Sequence, residues 1–370
     1  MKRCVTHLIT GLGMGGAETM LYQVLKYSTN SDLQHRVISF GASHFYEQLI
    51  RNMGISVIEV DIKKKPLTSL ARILHEIKGT DTLCCWMYHA NLIGYYLGHL
   101  SRVKKIVWCI RHSNLDADRN SKLTMSINRH CAKISKSVSK IAYNGQTARF
   151  NHEAIGYCKQ NGVVVDNGVD CELYKPDSLA QNGLRQEFHI TDNQKIILSV
   201  TRDNPIKDIP TFLEAISILH RSKTDIVAVM CGAGISCENK RIVSLCEQQG
   251  LQIGKDIFLL GTRNDVARLL AGCDVYALHS AGEAFPNTLI QAMACGCLCI
   301  ATDVGEVRRV LNNDQWIVPA KNPKQLAAAL LQAQTLTITE KKEIAYANRA
   351  RVKMEYDIDR IVKQYEEILK

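Results

Sequence analysis

At 370 residues the chain exceeds the ~250 to 300 residues at which a single hydrophobic core stops growing, so two domains are expected. Hydrophobic residues make up 46% and charged residues 22%, a balance that excludes intrinsic disorder, and no apolar run reaches the ~18 residues of a membrane span. The net charge of +10 lies wholly in the first half, with 23 Lys or Arg against 13 Asp or Glu up to Lys175 and 23 against 23 thereafter.

The basic excess sits in Lys63-Lys-Lys65, in Lys104-Lys105 and between Arg129 and Lys140. It suits peripheral contact with an anionic membrane or a polyanionic acceptor, with a merely solvated basic face as the alternative. No nucleic-acid motif is recognisable, so no nucleic-acid partner is expected. The apolar segment after Met1 is too short for an export signal, which points to the cytoplasm, at the inner face of the membrane if the basic half makes contact. Most of the 14 cysteines lie in apolar runs and none forms a paired C-x-x-C, so reduced, packed thiols are expected rather than zinc or disulfides.

In chain order, Val5-Thr-His-Leu-Ile-Thr10 reads as a buried strand and Ala17 to Lys26 as a helix. The loop between them, Gly11-Leu-Gly-Met-Gly-Gly16, has the G-x-G-x-x-G spacing of a dinucleotide site. That site wants a carboxylate at the tip of the second strand. His35 to Phe40 instead runs into Gly-Ala-Ser-His, so a glycine loop closing over a ligand held elsewhere is preferred. Further strands follow at Ser56 to Val60, at Thr82 to His89 and at Lys105 to Ile110, with a helix near Leu67 to Ile77. Strands separated by helices imply a parallel sheet whose ligands gather at the carboxyl ends. His89 and Asn91 close one strand, and Arg111 and His112 another, which makes them candidates. Asp116-Ala-Asp118 has a metal-binding look, but the same pattern at Asp357-Ile-Asp359 in a surface helix makes it cheap, and no metal is expected.

A connection near residues 170 to 185 separates a second series, from Lys195-Ile-Ile-Leu-Ser-Val200 through about five strands. Arg202 and Lys207 flank the start of a helix at Ile209, a fork and a point charge suited to a diphosphate. After the strand Val275 to His279 comes Ser280-Ala-Gly-Glu-Ala-Phe-Pro-Asn, with a helix beginning at Pro286. Its free amides, Glu283 before them, and Asn287 and Gln291 on one face would suit a sugar nucleotide, though a capped core helix is the plain alternative. Thr337 and Glu340 form a capping box, and an apolar stripe of Ile358, Ile361, Val362, Tyr365, Ile368 and Leu369 marks a final packing helix.

Gly13-Met-Gly-Gly-Ala-Glu18, Asn167-Gly-Val-Asp170, Thr201-Arg202 with Lys207, and Glu283-Ala-Phe-Pro-Asn followed by Ala292-Met-Ala-Cys-Gly296 occur in an order that resembles the family-4 retaining glycosyltransferases of the GT-B fold. The resemblance covers nearly the whole chain. It implies an α/β architecture of two Rossmann-like doubly wound domains facing across a cleft: an acceptor-side domain over 1–175, a nucleotide-sugar-binding domain over 176–350, and a C-terminal helix over 351–370 packing back on the first. By the same resemblance Arg202 and Lys207 hold the donor diphosphate, Glu283 approaches the transferred sugar and His112 assists catalysis. Gly15, Gly16, Phe285, Pro286, Asn287 and Thr288 line the donor, and Arg263 is the nearest candidate to read its base. The chain departs from the family at Gln291, where a second Glu usually holds the ribose. His89, Asn91 and Arg111 are left as acceptor-side candidates.

The implied activity is retaining and independent of metal or other cofactor. A hexose or N-acetylhexosamine would pass from a nucleotide-sugar, a UDP-sugar by preference, to a lipid-linked or core oligosaccharide of a bacterial surface polysaccharide such as lipopolysaccharide. A sugar-nucleotide epimerase and a non-catalytic sugar-nucleotide-binding or scaffold protein are the alternatives.

Overall fold

The computed structural model describes residues 2–13, 15–41, 45–113, 115, 121–222 and 224–370, which leaves Asp116 and Asp118 outside the described residues. The chain forms two compact units, 1–168 with 358–370, and 169–357. The divisions thus fall after Gly168 and Asp357 rather than at 175 and 350.

Among the described residues the first unit holds a parallel sheet of β1 (Arg3–Ile9), β2 (Leu33–Ser39), β3 (Ser56–Glu59), β4 (Thr82–Trp86), β5 (Lys105–Ile110), β6 (Lys140–Tyr143) and β7 (Gly162–Val164), in the order β3-β2-β1-β4-β5-β6-β7. Every crossover is helical: α1 (Gly16–Tyr27), α2 (Phe45–Asn52), α3 (Pro66–Glu76), α4 (Tyr88–Leu100), α5 (Lys122–Ile134) and α6 (Gln146–Ala154). The strands read as unbroken apolar runs because both faces are covered. One face packs Met20, Leu21 and Val24 of α1 with Ile358, Ile361, Val362, Tyr365 and Leu369 of the C-terminal helix, while Ile73, Tyr88, Cys131 and Ala148 cover the other.

Arg111 fixes the C-terminal helix in place. Its guanidinium, buried beside the Trp86 ring, donates to Tyr365 Oη at 2.6 Å and to Asn167 Oδ1. Tyr365 in turn stacks on Trp86, with ring centroids 5.7 Å apart. Arg111 is therefore a structural clamp rather than an acceptor-side contact, a correction to the sequence reading. The C-terminal stripe does complete the first unit, as expected, with its helix starting at Ile358 rather than within 351.

The second unit repeats the plan with β8 (Lys195–Val200), β9 (Ile226–Cys231), β10 (Ile257–Leu259), β11 (Val275–Leu278), β12 (Leu298–Thr302) and β13 (Ile317–Val318), all parallel, in the order β10-β9-β8-β11-β12-β13. The two-residue β13 is too short to leave a pattern, which is why about five strands were expected. Its helices are α7 (Ala180–Glu187), α8 (Ile209–Arg221), α9 (Lys240–Gln248), α10 (Val266–Gly272), α11 (Asn287–Ala294), α12 (Val307–Leu311), α13 (Pro323–Thr335) and α14 (Ile338–Glu355), and the C-terminal helix of the first unit becomes α15 (Ile358–Leu369). The capping box at Thr337 forms as expected, with Glu340 N donating to Thr337 Oγ1 and Thr337 N to Glu340 Oε2.

Two histidines make the first unit acid-sensitive. Trp86 Nε1 donates to His7 Nδ1 at 3.2 Å, so His7 Nε2 carries the hydrogen that reaches His35 Nδ1 at 3.0 Å, and both rings are neutral. Burial pushes His7 well below its usual range and His35 down to about 4. Both folded values lie below the unfolded value of about 6.5, so the unfolded chain takes up more protons on acidification. Their contribution is complete above about pH 6.5 and is lost as pH falls towards 4. The melting temperature is expected to hold from about pH 8 to 7 and fall below about 6.5; a level melting curve down to about pH 4.5 would contradict this. Tyr365→Phe, which removes the Arg111 partner, is expected to cost about 1.5–3 kcal/mol in urea denaturation.

Candidate functional site

In the second unit the strand order reverses between β8 and β11, so the loops leaving their carboxyl ends diverge and open a crevice between them. The first loop is shaped by Asn204, whose Oδ1 accepts from Ile206 N at 3.0 Å and caps a 3₁₀ turn over Pro205–Lys207. Asp208, at φ 49° and ψ 49°, then starts α8. Lys207 is thus delivered at the strand end, while Arg202 is exposed and has no ion-pair partner among the described residues.

The second loop carries Glu283. Lys207 Nζ donates to Glu283 Oε1 at 2.5 Å, and the two side chains are 19% and 11% exposed. Buried Ser280 donates to the same oxygen at 2.6 Å, and its own carbonyl accepts from Thr302 Oγ1 at 2.7 Å. A backbone bond from Ala281 N to Ile206 O, 2.8 Å, ties the two loops together. Beneath them Gly305 has φ +53°, and a Cβ there would lie 2.2 Å from the Glu283 carbonyl oxygen. Only glycine lets the two backbones approach so closely.

Pro286 is the N-cap of α11, one residue before the helix, and no side chain caps the first turn. The helix presents Asn287, Thr288 and Gln291, all half-buried. Tyr276 Oη donates to Thr288 Oγ1 at 2.6 Å, which leaves the Thr288 hydroxyl hydrogen for another acceptor. Phe285 is buried edge-on against Tyr356, so it seats the loop by packing. Under the site His279, which sequence reasoning passed over, bonds Ser199 Oγ at 2.7 Å and stacks on Phe212; burial pushes it down to about 4.

Arg263 stands differently from the expectation. It donates to both oxygens of Asp265 at 2.7 and 2.8 Å and to Glu187 at 3.0 Å, a network shared with Arg268. The Arg263 guanidinium holds the Asp265 carboxyl far below the usual carboxylate range. A fork so engaged holds α7 to α10 and is not spare for reading a base.

In the first unit β4 ends at Trp86, and His89 and Asn91 fall in the first turn of α4, not at a strand tip. His89 is half-buried and its pKa is lowered by that burial and by Lys63. Asn91 is fully buried; with its amide nitrogen towards Cys85 O and Met87 O, at 2.9 and 3.2 Å, it fastens the turn and is not an acceptor contact. His112 is half-buried just beyond β5, beside His152, whose ring bonds Tyr88 Oη at 2.7 Å and is lowered to about 4 by burial. At the glycine loop Gly15 is the N-cap of α1 and Gly16 its first residue. The Glu18 carboxylate folds over Gly15, 2.3 Å from where a Cβ would sit. A carboxylate over this helix start disfavours a phosphate there, which agrees with setting the dinucleotide site aside.

Among the described residues no three His, Cys, Asp or Glu side chains gather to hold a metal, and no helix is long and apolar enough to cross a membrane.

Residues 181–351 match the family model described as Glycosyl transferases group 1. The chain is a glycosyltransferase, and its second unit carries the group 1 domain. It is 24% identical over 343 residues to the N,N'-diacetylbacillosaminyl-diphospho-undecaprenol alpha-1,3-N-acetylgalactosaminyltransferase of Campylobacter jejuni, covering 86% of this chain and 87% of that one. Anabaena Alr3699/HepE in complex with UDP and glucose superposes with a TM-score of 0.85 at 20% identity, covering 99% of both chains. WaaG, a glycosyltransferase involved in lipopolysaccharide biosynthesis, superposes with a TM-score of 0.73 at 15% identity over 99% of both. The α/β class and the likeness to GT-B structures thus agree with the sequence reading.

Gly305→Ala is expected to cost this glycosyltransferase about 1–3 kcal/mol, because a methyl there must push the Glu283 loop outward. Urea denaturation reads the effect, and an unchanged midpoint would remove Gly305 from the support of the site.

Proposed function

We propose that the protein is a retaining, metal-independent transferase that moves a hexose or N-acetylhexosamine from a UDP-sugar to a lipid-linked or core oligosaccharide. The meeting of Lys207 and Glu283 at the carboxyl ends of β8 and β11 carries this reading. A cation, a carboxylate and the uncapped start of α11 converge where a diphosphate and its sugar need them. Lys207, Arg202 and the α11 amides stabilise the leaving diphosphate, with Thr288 donating its hydroxyl hydrogen. Glu283 accepts from sugar hydroxyls, and Asn287 and Gln291 donate and accept along the nucleoside. The bond from the anomeric carbon to the diphosphate oxygen breaks with its electron pair going to the diphosphate. The acceptor hydroxyl oxygen bonds to that carbon from the same face and its proton passes to the departing oxygen. Cationic side chains and helix amides supply the charge compensation that a metal would otherwise give.

His112 assists transfer in this reading, and His89 stands on the acceptor side. The lipid-linked acceptor is supported by the name of the Campylobacter relative and the membrane-side location by the basic excess of the first half.

Lys207→Ala is expected to lower kcat/KM by about 10²–10³ with the fold intact by circular dichroism; unchanged turnover would remove the phosphate role. The product linkage, read by NMR at the anomeric proton, is expected to keep the donor configuration, and EDTA is expected to leave the rate unchanged. An inverted product or a rate lost to EDTA and restored by Mg²⁺ would overturn those parts of the reading.

A further inference from the structure

The Lys207–Glu283 pair is more than a ligand set waiting for its ligand. An anion bound by Lys207 must compete with a carboxylate already 2.5 Å from the same nitrogen, in a pair where neither side chain is more than 19% exposed. Such a shielded pair is costlier to break than a surface one, because the carboxylate left behind is partly desolvated. The loop that carries Glu283 is held in place. Ser280 holds the same Oε1 at 2.6 Å, Ala281 N bonds Ile206 O, and Gly305 closes the space under the Glu283 carbonyl. When Lys207 turns to a phosphate, the carboxylate stays within the site and loses its cation.

We propose that Glu283 keeps Lys207 neutralised in the ligand-free protein and yields it readily only when sugar hydroxyls take the lysine's place, so that the site favours the nucleotide-sugar over the bare nucleoside diphosphate left after transfer. This rests on the reading of Lys207 as a phosphate ligand. A nucleoside diphosphate without the transferred sugar brings no hydroxyl beyond its β-phosphate and sets a second anion beside Glu283. A nucleotide-sugar brings hydroxyls that bond a carboxylate well. The exchange therefore weakens product binding in particular, and Ser280 is the positioning residue that holds the carboxylate to it.

Isothermal titration of UDP, GDP, ADP and inorganic pyrophosphate into the wild type, Glu283→Gln, Lys207→Ala and the double variant tests this. Glu283→Gln keeps the shape of the side chain and removes its charge, so it is expected to tighten the nucleoside diphosphate that binds, by about fivefold or more, and to tighten pyrophosphate likewise. The gain is expected to vanish in the Lys207→Ala background. Unchanged or weaker binding in Glu283→Gln, with an unaltered melting temperature, overturns the exchange while leaving the donor site standing. A tightening that persists without Lys207 also overturns it. A wild type that binds none of the four ligands defeats the functional reading itself.

Discussion

The reversal of strand order between β8 and β11 is the constraint on which the candidate site depends. A parallel sheet sends every strand out at one edge, and neighbouring strands whose chains then leave in opposite directions open a crevice. Lys207 comes from one loop and Glu283 from the other. Their ion pair and the Ala281–Ile206 backbone bond join loops that would otherwise part. Asn204, Ser280, Thr302 and Gly305 set the geometry of that junction, each through the backbone or through side-chain hydrogen bonds.

The rest of the second unit supports this junction. Phe285 against Tyr356 fixes where the loop turns into α11, and Tyr276 orients Thr288 on the first turn of the helix. His279 is kept neutral by its burial beneath the loops, where it bonds Ser199 and stacks on Phe212. In the first unit an equally buried polar group does different work: the Arg111 guanidinium holds the C-terminal helix through Tyr365 and Asn167.

Much of this was legible in the residues. β5, β8 and the start of α8 fall where the apolar runs and loop residues place them, because buried parallel strands are continuous and their ends are marked by polar residues. The end of β4 was set too late, at His89, because Met87-Tyr-His continues its apolar run and no cap residue marks the change of direction. The order of motifs brought Lys207 and Glu283 to one site, but spacing could not tell that they pair with each other, nor that Arg263 is engaged by Asp265 and Glu187. Side-chain partnering depends on loop backbone conformation, here a left-handed Asp208 and a crowded Gly305, and neither φ value is written in composition or periodicity.

The central claim is that one donor molecule uses both loops, its diphosphate at Lys207 and its sugar at Glu283. A crystal structure of the protein soaked with a UDP-sugar tests it most directly. The account predicts a β-phosphate oxygen within hydrogen-bond distance of Lys207 Nζ, a sugar hydroxyl on a Glu283 oxygen, and the ligand-free contact between the two side chains lengthened. A diphosphate lodged away from the carboxyl ends of β8 and β11, with the Lys207–Glu283 pair intact, would contradict it.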